Sequence, residues 1–353
     1  MPIRPRITLL LLALPLFPVA ALAQLPPSPD APPVSNAPAQ PDDDQPVATF
    51  KLQVNLVDLF FTVKGKNGEL VPHLSKSDCS VMEDKQPQTW KNFTAETDLP
   101  LTLGILLDTS GSQTYVLPLE QQAGSQFLEQ VLRKKDEAFL LSFDVNVDLL
   151  QDFTNNAHEL ARAMDKAQIN TAGGNGGGIP GLGGGTVPIQ GTPKGTLLYD
   201  AIYEAANQKM SQETGRKAMI ILTDGQDEGS EMKIQDAVAA AQRSNVIVYV
   251  ILIADPREYW NSGMGYYGYS AAKKISDESG GRVINVGNNG KKLQDAFQQI
   301  EDELRTQYVG TYTPTDNKLD GTFRHVAVNC GDGMHVQVRK GYYAPTPGQS
   351  SGQ

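Results

Sequence analysis

An apolar run that stops at an aspartate constrains the fold of this chain more than any other stretch. Residues 101–107 are mostly apolar, Asp108 follows them, and Ser110 and Ser112 come at alternate positions after it. A short apolar run between polar flanks is typical of a strand buried on both faces of a parallel sheet. Apolar residues at helical spacing over 117–132 predict a helix after the loop. We therefore expect these side chains at the carboxyl end of a parallel strand, where open α/β sheets place their ligand sites.

The loop Asp-x-Ser-x-Ser presents three oxygen donors within five residues. One carboxylate and two hydroxyls are hard ligands, which suit Mg²⁺ or Mn²⁺. Serine and aspartate also cap helices, so Ser110 or Ser112 could serve only as an N-cap. This loop alone does not decide between capping and metal binding.

Two later stretches add polar residues in comparable positions. Thr196 stands where a glycine-rich segment enters an amphipathic helical pattern, and an N-cap is again the alternative interpretation. Residues 218–223 form a second apolar run, which ends at Asp224. The nearby Asp227 and Glu228 are interpreted as solvated acids, since isolated acids usually lie on the surface.

Together these residues resemble a known metal site. The metal-ion-dependent adhesion site of von Willebrand factor type A domains has the same residue types in the same order, matched here by Asp108, Ser110, Ser112, Thr196 and Asp224. The flanking segments LLDTSGS, GTLLYDAI and ILTDGQD are similar too, and the resemblance covers roughly Leu101 to Arg305. More narrowly, TDLPLTLGILLDTSGS and the ending VRKGYYAP resemble exported von Willebrand factor A-related proteins of the acidobacterial type.

The resemblance implies both a fold and a function. The fold would be α/β, with a doubly wound, mostly parallel, Rossmann-like sheet inserted in or flanked by a small β-sandwich-like unit. The five residues would hold Mg²⁺, Mn²⁺ or Ca²⁺, and a protein ligand would add its own Glu or Asp to the cation. The chain would then be an exported, metal-dependent adhesion or interaction module. Two alternatives are a structural envelope component with a structural metal and a metal-dependent hydrolase.

Catalysis is the less favoured of these functions. The four histidines lie outside the three motif segments, at His73, His158, His325 and His335. The sequence lacks Gly-x-Ser-x-Gly, His-Glu-x-x-His and a Walker loop. With no general base evident, we expect a protein that is not an enzyme.

The N-terminal sequence predicts export to the periplasm, the cell surface or the medium. Residues 1–23 have a basic start, an apolar middle and a small-x-small end, which is typical of a cleaved signal peptide. A retained membrane anchor is the alternative, although prolines interrupt the run. Residues 24–46 are rich in proline and are expected to be a disordered leader. The net charge of −10, without a basic patch, argues against nucleic-acid partners and against attachment to anionic lipid.

The remaining sequence predicts β-structure on both sides of the α/β region. Strand-like patterns occur in residues 47–98 and 307–345, around a von Willebrand factor A-like domain at 99–306. Within that domain, residues 170–195 form a glycine-rich loop whose role is open, and 346–353 are a disordered tail. Cys79 and Cys330 fall in opposite halves of the β-structure, so they either form a disulfide or remain buried thiols.

Overall fold

The structure is a computed structural model that describes residues 56–95, 99–170, 195–254 and 268–347. The predicted signal peptide and leader lie outside these ranges, as do residues 171–194 of the glycine-rich loop and 348–353 of the tail. Those predictions remain untested. The described residues belong to one compact unit.

The strands are β1 (Val57–Lys64), β2 (Ser80–Glu83), β3 (Gln86–Gln88), β4 (Trp90–Ala95), β5 (Leu101–Asp108), β6 (Glu137–Phe143), β7 (Val147–Thr154), β8 (Arg216–Thr223), β9 (Val246–Leu252), β10 (Val283–Asn285), β11 (Tyr308–Tyr312), β12 (Phe323–Asn329), β13 (His335–Gln337) and β14 (Gly341–Tyr343). The α-helices are α1 (Leu117–Val131), α2 (Ala157–Met164), α3 (Leu198–Glu204), α4 (Ile234–Arg243), α5 (Gly268–Ser279) and α6 (Gly290–Arg305). A 3₁₀ turn covers Gly111–Gln113, and a π-helical segment, Ala205–Met210, continues α3. In the described ranges, no helix is long and apolar enough to cross a membrane.

The central sheet has six strands in the order β10-β9-β8-β5-β6-β7. All neighbours are parallel except β7, which runs antiparallel to β6 at the edge. Helices α1, α2 and α6 contribute to the core on one face, and α3, α4 and α5 to the core on the other. Successive residues of β5 point to opposite faces of the sheet, so Ile105 packs in the first core and Leu106 in the second. Because both faces of β5 are buried, the sequence of this strand is apolar without interruption. The predicted α/β class is confirmed.

Two antiparallel sheets are built from the chain before and after the α/β region. Their strand orders are β13-β1-β11-β4 and β14-β12-β2-β3. Strand β11 pairs with both β1 and β4, and β12 pairs with β2, so the α/β region is inserted between the halves of this β-structure. The two sheets share a core that includes Phe61, Trp90, Tyr308 and Tyr312. The domain boundaries proposed at residues 98/99 and 306/307 stay predictions.

A disulfide crosses the paired ends of β2 and β12. Cys79 precedes β2, Cys330 follows β12, and the two sulfur atoms are 2.06 Å apart. Both residues are buried in the core of the β-structure, and the Trp90 indole Nε1–H donates to the Cys79 carbonyl at 2.9 Å. The bridge therefore links the two halves of the chain that flank the α/β region.

Candidate metal centre

Two aspartates lie at the ends of neighbouring parallel strands. Asp108 is the last residue of β5, and Asp224 comes directly after β8. The strands are in register, with Leu107 opposite Leu222, so both carboxylates reach the same edge of the sheet. Both residues are buried. This edge of the sheet, with the loops that follow β5 and β8, is called the metal face below.

Hydrogen bonds join four of the five candidate residues into one network. The Ser112 hydroxyl donates to Asp224 Oδ2 at 2.6 Å, and the hydroxyl oxygens of Ser110 and Ser112 are 3.1 Å apart. The backbone N–H of Ser110 donates to Asp108 Oδ1 at 3.0 Å. Two carboxylates and two hydroxyls therefore converge at one point on the metal face.

The serine hydroxyls do not act as helix caps. Ser110 occupies the N-cap position of the 3₁₀ turn, but its side chain makes no capping hydrogen bond. Val116 is the N-cap residue of α1. The capping interpretation of Ser110 and Ser112 is therefore not supported, and both hydroxyls remain directed to the carboxylate network.

Thr196 reaches the metal face through its backbone. Its N–H and C=O both bond to Glu228, in the loop after Asp224, at 3.3 and 2.8 Å. Leu197 is the N-cap residue of α3, so Thr196 does not cap that helix. Within the described ranges, the hydrogen bonds that join the other four residues do not include the Thr196 hydroxyl. Thr196 therefore lies on the same loop cluster without belonging to the hydrogen-bonded network.

Two further residues hold these loops in place, and both were missed from the sequence. The Thr223 hydroxyl donates to Asp108 Oδ2 at 2.6 Å and accepts the N–H of Gly225 at 3.0 Å. Asp144, after β6, accepts the Thr109 hydroxyl at 2.8 Å, and its carbonyl accepts the Leu197 N–H at 2.8 Å. The only sequence signal for them was their position at the carboxyl ends of strands.

The electrostatics of the metal face favour a cation. Burial raises the pKa of the Asp108 carboxyl to about 7, and the negative charge of Asp224 acts in the same direction. Hydrogen bonds from Ser110 and Thr223 oppose this rise. A cation between the carboxylates would remove the repulsion that raises this pKa.

The donor set fits a hard divalent cation. In the described ranges, no group of three or more His, Cys, Asp or Glu side chains could hold a metal. The metal face offers instead carboxylate and hydroxyl oxygens, which Mg²⁺ accepts together with retained water molecules. Asp108, Ser110, Ser112 and Asp224 supply that set without a soft ligand.

Gly225→Ala should disturb the Asp224 loop. Gly225 has φ +80°, and a Cβ there would lie 2.6 Å from the Gly268 carbonyl oxygen. We expect the substitution to lower the free energy of unfolding by about 1–3 kcal/mol and to weaken Mg²⁺ binding, because the loop must move. Gly287→Ala is the control, since Gly287 has φ +59° with open space around it. Urea unfolding measures the free energy of unfolding and titration measures the Mg²⁺ affinity. Equal values of both quantities for the two variants would contradict this expectation.

Comparison with known proteins agrees with the fold. The family model described as von Willebrand factor type A domain matches residues 189–299, a range that includes Thr196 and Asp224. No curated protein matches the chain.

Several solved structures are similar at low sequence identity. The conserved hypothetical protein BatB from Bacteroides thetaiotaomicron is 17% identical, with a TM-score of 0.42, over 57% of this chain and 98% of that one. Proximal thread matrix protein 1 from the mussel byssus, with a zinc-occupied MIDAS motif, is 13% identical, with a TM-score of 0.43, over 63% of this chain and 49% of that one.

The vWF domain of the type V pili tip protein Mfa5 from Porphyromonas gingivalis is 11% identical, with a TM-score of 0.40, over 58% of this chain and 96% of that one. These likenesses are too distant to carry a functional conclusion. The family match and the doubly wound sheet agree with each other. Residues 189–299 match the von Willebrand factor type A domain model, and strands β8, β9 and β10 of the parallel sheet lie in that range.

Proposed function

We propose that this protein binds a protein ligand through a divalent cation on the metal face. The observation that supports the proposal is the network of Asp108, Ser110, Ser112 and Asp224, in which oxygen donors from two strand ends converge. Thr196 is the fifth proposed ligand, from a loop fastened to the same face. Von Willebrand factor type A domains often mediate protein interactions of this kind.

The chemistry of the site suits capture of an acidic side chain. When bound, the cation would supply a positive charge, and some of its coordination positions would be occupied by exchangeable water molecules. The serine hydroxyls are uncharged metal ligands, so among the proposed ligands only Asp108 and Asp224 bring negative charge to the cation. A glutamate or aspartate of the partner would then complete the coordination shell. We propose Mg²⁺ as the resident ion, with Mn²⁺ and Ca²⁺ as the other hard cations that fit.

A role in binding is favoured over hydrolysis by the position of the four histidines. All four histidines are exposed, in the antiparallel strands or their loops or on α2. His158 faces Glu129 on α1 rather than the metal face, at 3.7 Å. Water activated by a cation would need a base beside it, and none of these side chains is placed there.

Export is a further part of the proposal. The Cys79–Cys330 disulfide supports it, because structural disulfides persist in oxidising compartments outside the cytoplasm. The proposed signal peptide at residues 1–23 agrees with such a location, as does the narrower resemblance to exported proteins of the acidobacterial type. Comparing the mature N-terminus of the secreted protein with residues 24–30 would test the cleavage.

Selection from a random peptide library tests the binding function. Immobilised full-length protein in Mg²⁺ should retain peptides that contain Asp or Glu, and EDTA should release them. Ser112→Ala should lose this binding because it removes a proposed ligand, whereas Ser75→Ala changes an exposed serine outside the metal face and should keep it. Peptide retention that EDTA does not reverse, or retention of peptides without Asp or Glu, would contradict the proposal.

A further inference from the structure

Helix α1 carries a carboxylate into the protein interior without a partner. Glu120 lies in the first turn of α1, and its side chain is fully buried. Neither of its carboxylate oxygens accepts a hydrogen bond from any residue in the described ranges. Burial of an acid without a partner is costly, so native proteins rarely keep one without a function.

The other buried glutamates in the described ranges are paired. Glu303 bonds to Lys64 at 2.8 Å and to Arg282 at 2.7 Å. Glu83 accepts the hydroxyls of Tyr312 and Tyr342 at 2.7 and 2.8 Å. Glu120 therefore departs from the pattern that this fold otherwise follows.

The Glu120 carboxyl interacts electrostatically with Asp108 and Asp224 of the metal face. Burial raises its pKa well above the ordinary value, and the negative charges of Asp108 and Asp224 raise it further. The three carboxylates are thus within electrostatic reach of one another. Gln113 lies between the serines and α1, also fully buried, with its Nε2 3.4 Å from the Ser112 hydroxyl. Its Oε1 has no hydrogen-bond partner in the described ranges either.

We propose that Glu120 is a sixth residue of the metal centre, a buried positioning carboxylate whose charge strengthens cation binding by Asp108 and Asp224. This inference rests on the proposed metal site. Glu120 does not ligate the ion, because the described acids form no cluster with metal-ligand spacing. Its negative charge acts on the ion through space.

The physical reason is the low dielectric of the site. A negative charge buried beside a cation is screened far less than one at the surface, so it contributes to affinity without direct contact. The cation in turn supplies the compensation that Glu120 lacks. Groups outside the direct ligand set commonly change metal affinity by about 10–100-fold when they are replaced.

Glu120→Gln tests the inference because it removes the charge and keeps the shape. Calorimetric titration of the full chain should show Mg²⁺ binding about tenfold weaker than wild type. Tb³⁺ binding should weaken about thirtyfold, because the lost Coulomb interaction scales with the charge of the ion. Glu129→Gln is the matched control on the same helix, since Glu129 is exposed, and it should change either affinity less than about twofold.

The outcomes separate this inference from the proposed function. If wild type binds neither ion, the metal site itself fails. If wild type binds both and Glu120→Gln binds them equally well, only the role of Glu120 is overturned. Equal losses for Mg²⁺ and Tb³⁺ would also overturn it, because structural damage does not depend on the charge of the ion.

A second measurement needs no variant, so it stands even if Glu120→Gln fails to fold. Infrared spectra of wild type labelled with ¹³C-glutamate, recorded across a pH series, should show the last protonated glutamate carboxyl band disappearing at lower pH with Mg²⁺ than in EDTA. The physical reason is that a nearby cation stabilises the ionised form of Glu120. A band that disappears at the same pH in both conditions would contradict the inference.

Discussion

We expect Asp108→Asn to abolish saturable Mg²⁺ binding and, without metal, to make the protein more stable than wild type at pH 8. The buried Asp108 carboxyl has its pKa raised to about 7, above its ordinary 3.8, by burial and by Asp224. Folded protein without metal therefore holds this proton more tightly than unfolded protein does. The stability that the proton provides is complete below about pH 4 and is lost as the pH rises through about 7. Ionised Asp108 then costs on the order of 2–4 kcal/mol, which asparagine avoids.

Urea unfolding at pH 5 and pH 8, in EDTA and in Mg²⁺, measures each part of this prediction. Wild type in EDTA should lose stability between the two pH values and regain it with Mg²⁺ at pH 8. Asp108→Asn should lose less stability than wild type between the two pH values, because, of Asp108 and Glu120, only the buried Glu120 still holds its proton more tightly in the folded protein, and Mg²⁺ should not change its stability. Asp332→Asn, an exposed acid in a turn, should behave like wild type. Stabilisation of Asp108→Asn by Mg²⁺ would contradict the assignment of this carboxylate to the metal centre.

Replacement of Cys79 and Cys330 by alanine should have the other large effect. The disulfide closes a loop with a sequence separation of 251, so it restricts the unfolded chain strongly. In the chain-entropy description, its loss lowers the free energy of unfolding by about 5–6 kcal/mol. Both residues lie in the core that contains Trp90, so the β-structure should unfold first.

Guanidinium unfolding with and without dithiothreitol distinguishes the bridge from simple packing. Wild type should lose stability on reduction and approach the double variant, whereas the variant should not respond to the reductant. The sequence has two tryptophans, so Trp260 is replaced by phenylalanine in every protein compared, and the fluorescence of Trp90, whose indole donates to the Cys79 carbonyl, then reports the β-structure. A wild type that unfolds identically in both conditions would show that the bridge does not stabilise the fold.

The sequence predicts the strand ends at the metal face because the signals for these strands are local. Each apolar run of a central strand is continuous, so β5 and β8 could be placed from residue type alone. Parallel strands end at one edge of a sheet, so Asp108 and Asp224 were expected near each other, and β5 and β8 are indeed neighbours. The order of the five candidate residues indicates the family resemblance, and that resemblance implies a doubly wound parallel sheet.

Other features depend on contacts that no local pattern carries. In the sequence Thr223 is an ordinary strand residue, and only the structure shows that its hydroxyl donates to the Asp108 carboxylate. Asp144 and Glu120 look like surface acids, but the fold buries both of them. Pairing of β11 with β1 and β4 joins residues far apart in the chain, and only the folded protein shows which strands meet.

Anomalous diffraction from crystals of the full chain grown with Mn²⁺ tests the central claim most directly. The proposed function predicts one strong anomalous peak bonded to the Ser110 and Ser112 hydroxyls, with Asp108 and Asp224 beside it directly or through water. Thr196 should reach the same ion. A peak elsewhere, or ordered density for all these residues without a peak, would contradict a cation-dependent binding site on this face.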